Sequence, residues 1–87
     1  MKNTRQNIRE KLNTIITDYL GISHPDRYDE SASWIDYLGC DDLDWLEVIM
    51  ESEDVFEIEI PELDACDQTI GTLIDLIVSL QEKQASH

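Results

Sequence analysis

Few side chains in this 87-residue sequence could do chemistry, and they do not make up a catalytic set. The two cysteines, Cys40 and Cys66, lack the spacing of a zinc or redox motif, and His24 and His87 stand apart from both. No nucleophile is accompanied by a recognisable base and orienting group. We therefore predict that the protein is not an enzyme and that it binds no metal ion.

Three acids, Asp41, Asp42 and Asp44, lie directly after Gly39 and Cys40. These aspartates lack the spacing and the glycine of a calcium-binding loop. Aspartate satisfies free N–H groups at a helix start and suits the positive end of the helix dipole, so a helix is predicted to begin at Asp41 or Asp42. A thiol near a helix start can be reactive, but the neighbouring carboxylates oppose ionisation of Cys40, which we expect to be inert.

The charge of the chain is strongly negative and unevenly distributed. Six basic residues oppose 20 acidic ones, for a net charge of −14, and no lysine or arginine occurs between Tyr28 and Glu82. Such a field repels nucleic acid and anionic membranes and attracts a basic protein surface, although a merely soluble surface would have the same composition. We find no signal-peptide pattern and no apolar run of transmembrane length, and we expect a cytoplasmic monomer.

The spacing of apolar residues predicts three main helices and one short one. The first helix should begin at Asn3 or Thr4 and end at Gly21, and the last should begin at Thr69. The residues expected to face inward are Ile8, Leu12, Ile15, Ile16, Tyr19 and Leu20 in the first helix and Ile70, Leu73, Ile74, Ile77 and Leu80 in the last. The short helical turn is expected within residues 62–67.

Two connections are expected to lack regular secondary structure. Residues 23–39 are predicted to form an ordered loop that is pinned to the core by its larger side chains. These anchors are Tyr28, Trp34, Ile35, Tyr37 and Leu38, with Trp34 buried. Residues 56–60 alternate apolar and acidic side chains as a strand does, but Pro61 follows and no partner strand is evident, so an extended loop is predicted.

The second helix carries apolar and acidic residues at helical spacing. Its predicted core face consists of Leu43, Leu46, Ile49, Met50 and Phe56. The predicted opposite face carries Asp44, Glu47, Glu51 and Asp54, which repel one another at steps of three and four residues. A basic partner that covered this acidic face would relieve the repulsion.

The sequence around the start of this helix resembles the acyl carrier protein family. The run Leu38-Gly39-Cys40-Asp41-Asp42-Leu43-Asp44 is similar to the family signature Leu-Gly-x-Asp-Ser-Leu-Asp. Further matches at the family's intervals are Leu20-Gly21-Ile22, Ala32-Ser33-Trp34, Glu47, Met50, Phe56 and Glu59-Ile60-Pro61. The resemblance extends over about residues 8–80.

The resemblance implies an all-α fold, a right-handed four-helix bundle with three main helices and one short helix. The length of the chain predicts a single domain over residues 1–87, and its core is expected between about residues 8 and 80. In the family, a serine at the start of the second helix receives 4′-phosphopantetheine, and that helix recognises partner enzymes. Asp42 stands at the position of the serine and has no hydroxyl to receive the group, so we expect no cofactor.

The leading hypothesis is a carrier-like module that docks to a basic protein surface without a prosthetic group. Its expected contacts are the acids Asp41, Asp44, Glu47, Glu51, Glu53 and Asp54 and the apolar residues Trp45, Leu46 and Met50. Trp45 is either an exposed anchor or packed against the long loop. Two alternatives stay open: a true acyl carrier of fatty acid, polyketide or lipid synthesis whose serine is lost or replaced, and an acidic inhibitor, immunity protein or antitoxin of a basic enzyme.

Overall fold

Three α-helices make up most of the protein: α1 spans Thr4–Leu20, α2 spans Asp42–Phe56 and α3 spans Ile70–Ala85. The computed structural model describes residues 4–85, with side chains up to residue 84. The described residues contain no β-strand, so the prediction of an all-helical fold is confirmed. The predicted cap at Asn3 and the terminal His87 lie outside the described residues.

The connections also follow the predictions. The chain leaves α1 through Gly21, whose φ of 69° is the left-handed conformation that glycine adopts most readily. Of the loop predicted over residues 56–60, Phe56 is instead the last residue of α2, and residues 58–60 belong to no helix or strand. The predicted short helical turn is a 3-10 turn at Ala65–Asp67. A second 3-10 turn, at Pro25–Arg27, lies in the long loop and was not predicted.

The core lies where α1 packs against both α2 and α3. The buried residues of α1 are Ile8, Leu12, Ile15 and Ile16, and those of α3 include Ile70, Leu73, Ile74 and Ile77, as predicted. Leu20 and Leu80 are half-buried against this core. Tyr19 was predicted to face inward, but its side chain is exposed because its hydroxyl reaches the carboxylate of Glu51.

The predicted core face of α2 is correct for Phe56, which is buried, but wrong for most of its other residues. Leu43, Leu46 and Met50 are exposed, and Ile49 is half-buried. The buried residues of α2 are Trp45, Val48, Ser52 and Phe56. Both sets have helical spacing, so periodicity alone does not choose between them. The choice depends on the long loop, which places a large aromatic side chain against Trp45.

That side chain is Trp34, the main anchor of the long loop. Trp34 is fully buried, its ring centroid lies 5.6 Å from that of Trp45, and its indole N–H donates to the carbonyl of Thr69 at 2.9 Å. Arg9 holds the earlier part of the loop by donating to the carbonyl oxygens of Pro25 and Tyr28 at 2.9 and 2.8 Å. The predicted anchoring by Tyr37 is wrong, because its side chain is 71% exposed.

The loop also meets the start of α3 at Gly71. The N–H of Gly71 donates to the carbonyl of Glu30 at 2.7 Å, and a Cβ atom at Gly71 would lie only 3.1 Å from that oxygen. Glycine inside a helix costs about 1 kcal/mol relative to alanine, and this close approach explains why it is present. Arg5 of α1 reinforces the junction by pairing with Glu30 and with Asp75 of α3.

Candidate functional site

The two aspartates at the start of α2 have different roles. Asp41 is the N-cap: its carboxylate accepts the N–H of Asp44 at 2.8 Å, and the carboxylate of Asp44 accepts the N–H of Asp41 at 3.4 Å. Asp42 is the first residue of α2 and is exposed, and its side chain makes no hydrogen bond within residues 4–85. It is therefore a first-turn acid whose charge the helix dipole favours.

This position does not fit the covalent attachment of 4′-phosphopantetheine. The attachment requires a hydroxyl at the start of α2, and Asp42 offers a carboxylate. Among the nearest serines, Ser33 accepts the N–H of Asp36 through its Oγ at 3.2 Å, and Ser52 is fully buried further along α2. Neither serine presents an exposed hydroxyl at the N-terminus of α2, and helix N-termini are the places where proteins commonly bind phosphate groups.

Three large apolar side chains form an exposed row on α2, which we call the α2 stripe: Leu43, Leu46 and Met50. They are 70, 53 and 58% exposed and follow one another at steps of three and four residues, so they share one face. Leu46 and Met50 were predicted as partner contacts and are accessible. Leu43 was not predicted as a contact, although its spacing from the other two was visible in the sequence.

The acids predicted to meet a partner surround this stripe and differ in what else they do. Asp41, Glu47 and Asp54 are exposed, whereas Asp44, Glu51 and Glu53 are half-buried. Glu51 accepts the hydroxyl of Tyr19 at 2.6 Å, which raises the pKa of that tyrosine, and Glu53 accepts the N–H of Ile60 at 2.8 Å. Glu47 and Asp54 form no side-chain hydrogen bond within the described residues and are exposed to solvent.

Trp45 has the second of its two predicted placements. It is only 8% exposed and packs on Trp34 of the long loop, so it is not an exposed anchor. Trp45 also lines a groove that we call the α2 groove, between α2 and residues 60–66. The other partner contacts predicted on α2 are either exposed or half-buried.

The two thiols differ in accessibility. Cys40 is buried, and this burial, followed by the carboxylates of Asp44 and Asp41, raises the pKa of its thiol to about 11. Cys66 is exposed, and the nearby carboxylate of Asp64 raises the pKa of its thiol as well. Both thiols are therefore protonated at neutral pH, which agrees with the inert Cys40 that was predicted.

Residues 4–85 contain no group of three acidic, histidine or cysteine side chains placed to hold a metal ion. None of α1, α2 and α3 combines the length and the apolar character needed to span a bilayer.

Comparison with known proteins places this helical fold in a family. No protein-family model matches the chain. An acyl carrier protein of Zymomonas mobilis subsp. mobilis (strain ATCC 31821 / ZM4 / CP4) is 38% identical to it over 76 residues, which cover 87% of this chain and 94% of the relative. The aligned part includes most of the three helices and nearly the whole of the relative. The chain therefore belongs to the acyl carrier protein family.

Proposed function

We propose that this protein is a carrier-type module that docks to a basic surface of another protein through α2 and carries no 4′-phosphopantetheine. The observation that carries the proposal is Asp42 at the first position of α2, where the family has its attachment serine. Members of this family work with protein partners such as carrier-dependent enzymes. We further propose that the chain acts as one cytoplasmic domain and as a monomer.

The exposed side chains of α2 support the proposal that this helix is the docking face. The α2 stripe presents exposed apolar area, and Glu47 and Asp54 lie beside it with no hydrogen bond in the described residues that would hold them. An apolar patch with a charged rim is the usual composition of a protein interface, in which the apolar part supplies affinity and the charges supply specificity and association rate. A partner with an apolar recess flanked by lysine or arginine would complement it.

The proposed absence of the prosthetic group is supported by the lack of a hydroxyl oxygen on the side chain of residue 42. A serine hydroxyl becomes a stable phosphodiester, whereas a carboxylate offers no hydroxyl at all. Asp42 instead places a carboxylate at the helix start, in the region where the family holds a phosphate. The docking face can therefore remain intact while carriage of an acyl group is lost.

A true acyl carrier is the second candidate, because the 38% identity extends over 94% of a relative that bears that name. In this case the serine has been lost or replaced at Asp42 and the rest of the surface is still that of an acyl carrier. The two candidates predict different behaviour of the surface around Asp42 toward a phosphopantetheinyl transferase.

The test is the intact mass of the protein after incubation with coenzyme A and a phosphopantetheinyl transferase. The wild-type chain should keep its unmodified mass, and a gain matching phosphopantetheine would refute the proposal. The matched variant is Asp42→Ser, which restores the hydroxyl at an exposed position. Modification of Asp42→Ser would favour the acyl carrier that has lost its serine. If Asp42→Ser also stays unmodified, the transferase does not recognise the surface around residue 42, and this result would favour the dedicated docking module.

A further inference from the structure

An open recess lies beside the 3-10 turn at Pro25–Arg27, and it differs in charge from the rest of the surface. Its volume is about 290 Å³, near the lower end of the range of pockets that bind small molecules. We call it the loop recess and define it by its lining residues: Ile22, Ser23, His24, Arg27 and Tyr28. None of the five carries a carboxylate, whereas four other recesses on the described part of the chain each have at least one acidic residue in their walls.

The 3-10 turn accounts for the position of the two basic side chains in one recess. The N–H of Arg27 donates to the carbonyl of His24 at 3.1 Å, and residues three apart in a 3-10 turn lie on the same side of it. Pro25 is buried and begins the turn with a fixed φ angle. Arg9 of α1 donates to the carbonyls of Pro25 and Tyr28, so both ends of the turn are tied to the helix. The recess is therefore formed before any ligand binds.

Three polar side chains of the loop recess can donate hydrogen bonds and have no partner in the protein. Ser23, His24 and Arg27 are exposed and make no side-chain hydrogen bond or ion pair within residues 4–85. A guanidinium offers five N–H groups in a planar fork, and a hydroxyl and an imidazole can each donate one more. An oxyanion with several acceptor oxygens complements this set, and phosphate suits the arginine fork because it accepts two parallel hydrogen bonds.

The other two lining residues give the recess an apolar part. Ile22 and Tyr28 are half-buried and pack against the core, so each exposes part of its side chain to the recess. A flat hydrocarbon group that covered them would be removed from water together with the surface beneath it. Donors and apolar surface thus lie next to each other within a small volume.

We propose that the loop recess binds a small phosphate monoester with an aromatic group. The phosphate accepts hydrogen bonds from Arg27 and Ser23, and His24 lies beside it. The aromatic ring lies against Tyr28 and Ile22. The site is independent of the proposed docking function, because α2 contributes no residue to it. Failure to bind such a ligand would leave the docking proposal standing.

The net charge of −14 opposes an anion, so the affinity depends on contacts inside the recess. The acids nearest to Arg27 in sequence are Asp26 and Asp29, and neither lines the recess. The carboxylate of Asp29 accepts the N–H of Ser31 at 3.1 Å. At about 0.15 M salt, exposed charges more than about 8 Å away are largely screened, which leaves Arg27 as the main charge that a bound phosphate meets.

The experiment is a titration of ¹⁵N-labelled protein with three probes at constant pH and about 0.15 M salt. Phenyl phosphate should cause saturable shifts of the amides of Ser23, His24 and Tyr28, while the amides of Ile49 and Leu63 in the α2 groove should not move. Inorganic phosphate has no ring to bury and should bind at least about fivefold more weakly. Benzylammonium has an aromatic ring with the opposite charge and should cause no saturable shift of those amides.

Two variants with equal changes of charge test the role of Arg27. Arg27→Gln removes the guanidinium from an exposed position and should weaken phenyl phosphate binding by about tenfold, as expected for the loss of a charge-assisted hydrogen bond. Lys83→Gln removes a positive charge from an exposed position on α3, outside the recess, and should leave the affinity unchanged. The proposal is overturned if inorganic phosphate or benzylammonium binds as tightly as phenyl phosphate, if the two variants weaken binding equally, or if no saturable shift is seen.

Discussion

Trp45 shows how one residue on an expected interface can serve the core. Its burial against Trp34 predicts that Trp45→Ala will lower the free energy of unfolding by about 3–5 kcal/mol, because the truncation opens a cavity beneath α2. Urea denaturation measures the change. Trp45→Phe keeps an aromatic ring in contact with Trp34 and should lose clearly less. A loss below about 1 kcal/mol for the alanine variant would show that Trp45 does not belong to the core.

The Cys40 thiol should make stability depend on pH in the alkaline range. Its folded pKa is raised to about 11 by burial and then by Asp44 and Asp41, whereas an unfolded thiol titrates near roughly 8.5. Between these values the folded chain holds a proton that the unfolded chain has lost. The contribution is therefore complete below the unfolded pKa and is lost as the pH rises through the folded one.

Urea denaturation from pH 8 to pH 11 measures this loss, with Cys40→Ala as the control because alanine removes the titrating group. The variant should show a shallower fall in stability over that range. Tyr19, whose pKa is raised by the hydrogen bond to Glu51, contributes in the same direction in both proteins and cancels from the comparison. Equal slopes for the two proteins would exclude the role assigned to Cys40.

The role of a single residue can be predicted from the sequence when that role depends only on its neighbours along the chain. The cap at Asp41 and the missing hydroxyl at Asp42 were predictable, because each follows from one side chain at one position on a helix start. Membership of a family of non-catalytic carrier proteins also confirms the prediction that the chain is not an enzyme. The burial of Trp45 was not decided by its own neighbours, because it depends on where the long loop brings Trp34.

On the scale of the helix, the outer face of α2 should control association with a partner. Glu47→Lys exchanges an exposed negative charge for a positive one and should slow association with a basic partner by about fivefold or more at low salt. It should not unfold the protein, because it also relieves repulsion with Asp44 and Glu51 at neighbouring helical positions. Surface plasmon resonance with a captured partner gives the rate, and thermal melting checks the fold.

The control for this variant is Asp26→Lys, an equal change of charge at an exposed position in the 3-10 turn of the long loop. Asp75 on α3 is unsuitable, because its carboxylate accepts two N–H groups of Arg5 and its replacement would disturb the core junction. If Asp26→Lys slows association as much as Glu47→Lys, overall charge rather than the α2 face governs binding, and α2 is not the recognition helix.

The sequence predicted where α2 begins but not which side of it is buried. Two rows with helical spacing run along it: the α2 stripe, and the set of Trp45, Val48, Ser52 and Phe56. The second row is less apolar in composition because it contains a serine, so the hydrophobic pattern favoured the wrong one. Contacts from outside the helix decide between them, and a pattern within one helix carries no information about those contacts.

On the scale of the whole molecule, a net charge of −14 should make the fold sensitive to salt. Two of the six basic residues, Arg5 and Arg9, are already engaged in ion pairs or backbone hydrogen bonds. Raising sodium chloride from about 10 mM to 0.15 M shortens the screening length from roughly 30 to 8 Å and should raise Tm by about 5 °C. Differential scanning calorimetry measures the change in Tm. Choline chloride should raise Tm by the same amount, because screening does not depend on which cation is added. An unchanged Tm would mean that self-repulsion does not limit stability.

The order and type of the helices could be predicted because each follows from a local pattern of apolar residues, caps and breakers. The course of the long loop could not, because its contacts join residues that are far apart in sequence. Tyr37 has the same aromatic character as Trp34 yet is exposed, and nothing in the residues beside it distinguishes the two. The glycine at 71 was visible as an anomaly within a helix, but its cause is the carbonyl of Glu30.

The junction between this loop and α3 has a consequence for the order of folding. The indole of Trp34 meets the carbonyl of Thr69 across 35 residues of sequence, and the N–H groups of Ile70 and Gly71 bind the carbonyls of Ala32 and Glu30. Closing so long a segment reduces the entropy of the chain before the long-range contacts form and compensate for that loss. The helices, in contrast, form from residues that are neighbours in sequence. We therefore expect α1 and α2 to gain structure first and the first turn of α3 to become fixed late, after the intervening chain has collapsed around Trp34.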